Sequence, residues 1–67
     1  MKTITLNGDP YPLEGGLRLV ALLEQLNMRQ GRVAVEINRE IVPKASYADT
    51  VIKPGDNVEV INFVGGG

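Results

Sequence analysis

Neither cysteine nor histidine occurs among the 67 residues. Their absence removes disulfides, thiolate nucleophiles and sulfur-ligated metals, together with the commonest general base and metal ligand. A small chain that holds together without disulfides fits a reducing compartment, so the cytoplasm is the expected location. Tryptophan is missing too, and there is one phenylalanine. Nor is there an excess of positive charge: seven Lys+Arg against eight Asp+Glu leave a net charge of −1. A nucleic-acid partner needs a basic stripe to neutralise phosphates, and this balance argues against one. No apolar run approaches the ~20 residues that span a bilayer. Met1-Lys2-Thr3-Ile4 leads straight into alternating residues, without the apolar core of a signal peptide, and no membrane partner is expected. A chain of this length forms one domain, burying about 60% of the surface exposed when unfolded, with little volume left for an internal active site.

What is present reads as short strands around one helix. Thr3-Ile4-Thr5-Leu6-Asn7 alternates, with Ile4 and Leu6 inward. Asn7-Gly8-Asp9 marks a tight hairpin turn. The return strand, around Tyr11 to Leu13, contains Pro10 and Pro12 at its start, which withhold backbone donors and place it at a sheet edge. Gly15-Gly16 then releases the chain into a helix whose Leu19, Leu22, Leu23 and Leu26 form one apolar stripe. No Ser, Thr, Asp or Asn precedes it, so Gly16 is expected at its N-terminus; it should end near Asn27, with Gly31 as the stop. Val33, Val35 and Ile37 alternate inward, with Asn38-Arg39 as a two-residue turn in which Asn38 takes positive φ. Ile41-Val42 is a brief return strand closed by Pro43. Residues 44–50 read as irregular, with one helical turn around Ala45 to Tyr47 and Tyr47 packed beneath the crossover. Pro54-Gly55 suits a type II turn before the last strand, 57–63.

Glu59 sets the phase of that last strand. It is the member least suited to burial, so Val58 and Val60 face inward while Ile61 and Phe63 face solvent. An exposed apolar pair beside the end of the chain suggests a docking patch. Val64-Gly65-Gly66-Gly67 follows at once. Glycine buries no side chain and loses the most backbone freedom on ordering, so three in a row add nothing to a core. A glycine run at a terminus also fits ordinary fraying. Its other use is thinness, since without Cβ atoms the Gly67 carboxylate can pass down a narrow channel in another protein. The expected division is a folded domain over residues 1–64 and a flexible glycine tail over 65–67.

The order hairpin, helix, hairpin, crossover, strand points to an α+β fold. One main helix covers a mixed sheet of four to five strands, with the final strand central and parallel to the first. That is the β-grasp, or ubiquitin-like, arrangement. Three segments carry a resemblance over nearly the whole chain: residues 33–44, Val-Ala-Val-Glu-Ile-Asn-Arg-Glu-Ile-Val-Pro-Lys; residues 54–60, Pro-Gly-Asp-Asn-Val-Glu-Val; and residues 64–67, Val-Gly-Gly-Gly. Together they resemble the ThiS family, the sulfur carriers of thiamine (thiazole) biosynthesis. The molybdopterin-synthase carrier family, MoaD, shares the fold and the Gly-Gly end. It is usually longer, and its hinge region does not usually read Asn-x-x-Ile-Val-Pro.

The resemblance implies a carrier and not an enzyme. Gly67 would be adenylated by a ThiF-like activating enzyme using ATP and magnesium, then converted to a thiocarboxylate by sulfur from a cysteine persulfide. The thiocarboxylate would pass its sulfur to a ThiG-like thiazole synthase. Gly65 and Gly66 would thread the partner's channel, and Ile61, Phe63 and Val64 would dock on it. The carrier itself would bind no cofactor or metal and supply no catalytic side chain. Two other classes share the tail: a ubiquitin-like modifier joined through Gly67 to lysines, and a plain β-grasp binding module.

Overall fold

The computed structural model describes residues 1–63, apart from the side chain of Gln30. The boundary expected after Val64 and the tail at Gly65, Gly66 and Gly67 lie outside the described residues. The first strands, β1 (Thr3–Leu6) and β2 (Asp9–Pro12), form a hairpin with Leu6 opposite Asp9 and Thr3 opposite Pro12. Asn7 (φ 51°) and Gly8 (φ 88°) both take positive φ, the type I′ geometry whose twist matches the strands. Both prolines lie on β2, at the edge of the sheet as expected, where a missing backbone donor costs least.

Two features differ from the sequence expectation at the helix start. A short strand, β3 (Leu17–Arg18), runs directly into α1 (Leu19–Gln25) and pairs antiparallel with β6 (Val51–Ile52). Gly16 therefore does not cap the helix. Arg18 holds the cap position without a side-chain hydrogen bond, and the Leu19 N–H donates to the Thr50 carbonyl at 2.9 Å. Tertiary structure thereby satisfies the first of the N–H groups that a helix start leaves without an intrahelical partner. Gly16 answers a packing need instead, because a Cβ there would sit 3.3 Å from Val51 Cγ1.

The helix ends near Asn27, as expected, but the stop is not Gly31; it is Asn27 itself, at φ 60°. Its N–H donates to the Glu24 carbonyl (3.1 Å), and the Met28 N–H to that of Leu23 (2.9 Å), the paired bonds of a Schellman cap. The helix is thus seven residues long, about two turns at 3.6 residues each. Leu19, Leu22 and Leu23 are buried on its inner face, and Leu26 packs at their margin.

The second hairpin joins β4 (Val33–Ile37) to β5 (Glu40–Ile41), so the return strand lies one residue earlier than 41–42. Asn38 (φ 53°) has the expected positive φ, but Arg39 (φ 71°) shares it, since a type I′ turn needs left-handed geometry at both positions. Residues Lys44–Asp49 form a 3₁₀ helix rather than an irregular loop. Tyr47 is buried within it, and its hydroxyl donates to the Val33 carbonyl at 3.4 Å. Gly55 (φ 93°) turns the chain, as expected, into β7 (Asn57–Asn62), which ends one residue before Phe63.

The main sheet runs β2-β1-β7-β4-β5, with β7 in the middle, parallel to β1 and antiparallel to β4. One apolar cluster lies between its inner face and the helix layer, including Ile4, Leu19, Leu22, Leu23, Val33, Val35, Tyr47, Ile52, Val58 and Val60. The arrangement is the α+β β-grasp inferred above. Among the described residues, no helix is long and apolar enough to cross a membrane.

Candidate functional site

The site is built on β7, because that strand leads to the C-terminal glycines. Val58 and Val60 point inward and are buried, while Glu59, Ile61 and Phe63 point outward. Ile61 is 56% exposed and Phe63 51%, so the phase set by Glu59 in the sequence is the phase the strand adopts. The pairing register places neighbours on this outer face. Ala34 lies opposite Ile61, Glu36 opposite Glu59, and Ile41 opposite Glu36. Three of the exposed large hydrophobic residues, Ile41, Ile61 and Phe63, therefore share one side of the sheet with a pair of facing carboxylates between Ile41 and Ile61. The helix layer covers the opposite side.

Two side-chain clamps hold β7, one beyond the reach of β1 and one at its start. β1 pairs with it at Thr5–Asn57 and Leu6–Val58 and then turns away. At the next step the Asn7 side chain takes over: its Oδ1 accepts from the Val60 N–H (2.8 Å), and its Nδ2 donates to the Val60 carbonyl (3.2 Å). At the opposite end of β7, Asn38 Oδ1 accepts from the Asn57 N–H (2.9 Å) and Nδ2 donates to Asp56 (3.1 Å). Sequence reading assigned both asparagines to turn geometry alone. An Asn beside a Gly signals a turn, but nothing local shows where its carboxamide will point. On the other edge of β7, the Phe63 N–H donates to the Arg32 carbonyl at 2.8 Å, so pairing with the β4 side continues to the last described residue.

The structure brings Ile61 and Phe63 to one face; Val64, Gly65, Gly66 and Gly67 lie outside the described residues. Among the described residues, no group of three or more acidic side chains could hold a metal ion. What the arrangement offers is a rigid strand, an apolar face beside its end, and a glycine run that continues the chain.

A five-stranded sheet crossed by one short helix, with the last strand central, defines a ubiquitin-like β-grasp protein. A family model described as the ThiS family matches residues 4–67, and the chain belongs to that family. The crystal structure of a thiamine biosynthesis protein (ThiS) from Geobacter metallireducens superposes with a TM-score of 0.80 at 37% identity, covering 97% of this chain and 99% of that one. Sulfur carrier protein ThiS of Escherichia coli K12 is 33% identical over 64 residues, 96% of this chain and 97% of its own length. A thiazole synthase from Paramagnetospirillum magneticum is 41% identical over 64 residues, and this chain spans only 20% of that protein's length.

Proposed function

We propose that the protein is a sulfur carrier for thiazole synthesis in thiamine production, acting in the cytoplasm as a cosubstrate without catalytic groups of its own. The single observation that carries this reading is the family match, which runs through the glycine end to residue 67. It is supported by a β7 strand that leads to those glycines with Ile61 and Phe63 exposed beside them.

The chemistry follows from the poor electrophilicity of a carboxylate. A Gly67 carboxylate oxygen attacks the α-phosphorus of ATP on a ThiF-like enzyme, with magnesium on the nucleotide, and pyrophosphate leaves. The terminal sulfur of a cysteine persulfide then attacks the acyl carbon and expels AMP. Cleavage of the resulting acyl disulfide by a thiol, which is oxidised in turn, leaves the thiocarboxylate. Gly65 and Gly66 let the end reach those atoms, and Ile61, Phe63 and Val64 form the docking contact. The same end then donates sulfur to a ThiG-like thiazole synthase. That partnership is supported by the thiazole synthase in which a segment similar to this chain occurs within a longer protein. The carrier holds no cofactor; ATP and magnesium belong to the activating enzyme.

The test is the intact mass after incubation with ATP, the activating enzyme and a sulfide source. Replacement of one oxygen by sulfur, localised to Gly67 by fragmentation, is the expected result. An unchanged mass with active enzyme would overturn the proposal. Lysine-linked conjugates through Gly67 would instead mark a protein modifier.

A further inference from the structure

β7 is the central strand of the sheet, yet its two edges are secured very differently. Toward β4 the ladder runs from the Asn38 N–H bonded to the Asn57 carbonyl as far as the Phe63 N–H on Arg32. Toward β1 the backbone contacts stop early: the Thr5 N–H reaches the Asp56 carbonyl, the Asn7 N–H reaches that of Val58, and β1 then turns into Gly8. Val60 would face an empty edge, and the Asn7 carboxamide fills it. A carboxamide carries one acceptor oxygen and an NH₂ donor, the same pair a peptide unit offers. With Oδ1 on the Val60 N–H and Nδ2 on its carbonyl, Asn7 satisfies both Val60 backbone groups, which a continued parallel β1 would have paired with two separate residues. The left-handed φ of 51° at Asn7 lets the backbone leave the sheet while the side chain continues it.

We propose that Asn7 is a positioning residue: by acting as a one-residue extension of β1, it fixes the direction in which the end of β7 leaves the sheet. This rests on the sulfur-carrier reading, in which Gly67 must meet the α-phosphorus of ATP in line. Without the Asn7 bonds, β7 beyond Val58 is held along one edge only and can swing about the β4 ladder. Ile61 and Phe63 stay paired to β4, so docking survives while the direction in which the chain leaves β7 is no longer fixed. Reactions that depend on such alignment lose up to about 10²-fold for a displacement of about 1 Å.

The test compares Asn7→Gly and Asn7→Asp with the unaltered full chain. Glycine keeps the left-handed turn and removes the carboxamide. Aspartate also tolerates that geometry and keeps an acceptor for the Val60 N–H, but has no donor for its carbonyl. Amide exchange by NMR reads the clamp, with Leu26 and Met28, whose N–H groups donate to the Leu22 and Leu23 carbonyls, as the control for an intact helix layer. Pyrophosphate release by the activating enzyme at varied carrier concentration separates kcat from KM. In Asn7→Gly the Val60 amide should exchange at least about tenfold faster, and kcat should fall about tenfold with KM within about twofold, as expected for lost alignment rather than lost binding. Asn7→Asp should recover part of both. Unchanged Val60 protection in Asn7→Gly overturns the clamp itself. Faster Val60 exchange with unchanged kcat overturns its role in positioning. If the unaltered chain forms no adenylate while the Val60 effect is seen, the sulfur-carrier reading fails, and the positioning role with it.

Discussion

Valine and isoleucine differ by one methylene, yet on β7 Val58 is fully buried while Ile61, three residues later, is 56% exposed. The inner face of that strand is committed to the core against α1, and the outer face is left to water. Burying apolar area stabilises a fold by roughly 25 cal/mol per Å² wherever it occurs. In a domain of this size, an apolar residue left on the outside is stabilisation forgone. On the docking role proposed above, the outer face keeps Ile61 and Phe63 for contacts with another molecule, and substitutions on the two faces should then separate stability from binding.

The largest expected effect lies inside. Val58→Ala removes two buried methyl groups beneath the helix and should cost about 1–3 kcal/mol. In a domain of this size each kcal/mol lowers Tm by about 4–8 °C, readable by thermal circular dichroism. A loss below about 0.5 kcal/mol, the range of surface changes, would mean the two faces are less distinct than their burial indicates. On the outside, Phe63→Asp should leave stability within about 0.5 kcal/mol. It should nonetheless weaken binding to the activating enzyme by at least about tenfold, measured by calorimetry, as expected for an aromatic anchor. Unaltered binding would remove Phe63 from the docking face. The smallest effect tests the facing carboxylates. Like charges directly opposite on a sheet are unfavourable, so Glu59→Lys, placed against Glu36, should stabilise by about 0.2–1 kcal/mol. That gain should fade as salt is raised in urea titrations; no gain at low salt would place the two carboxylates too far apart to interact.

Much of this contrast was legible in the sequence because one charged residue resolved it. Glu59 fixes which neighbours in an alternating strand can be inside, and the orientation of Ile61 and Phe63 follows without any knowledge of the partner strands. The hairpins were legible for a similar reason, since Asn7-Gly8 and Asn38-Arg39 carry turn chemistry at the turn itself. The helix end near Asn27 was legible too, but how the helix is capped was not: the Thr50 carbonyl, distant in sequence, takes the Leu19 N–H, and Asn27 itself rather than Gly31 makes the stop. The β3–β6 pair was invisible because two-residue strands show no alternation. Within the candidate site, the roles of Asn7 and Asn38 were hidden because a side chain that substitutes for backbone has no sequence period.

The placement of β7 also bears on how the chain is made. The two hairpins form from neighbours in sequence, but each docks on a strand that the ribosome delivers last, more than fifty residues after β1. Until β7 emerges, β1 and β4 have no common partner, and Val58 and Val60 are missing from the core. Contacts of such long sequence separation form late and slow folding. A chain cut short before β7 would leave a gap in the middle of its sheet, not a frayed margin. Folding thus acts as an inspection of completeness: a chain must contain β7 before its sheet can close and bring Ile61 and Phe63 together on one outer face.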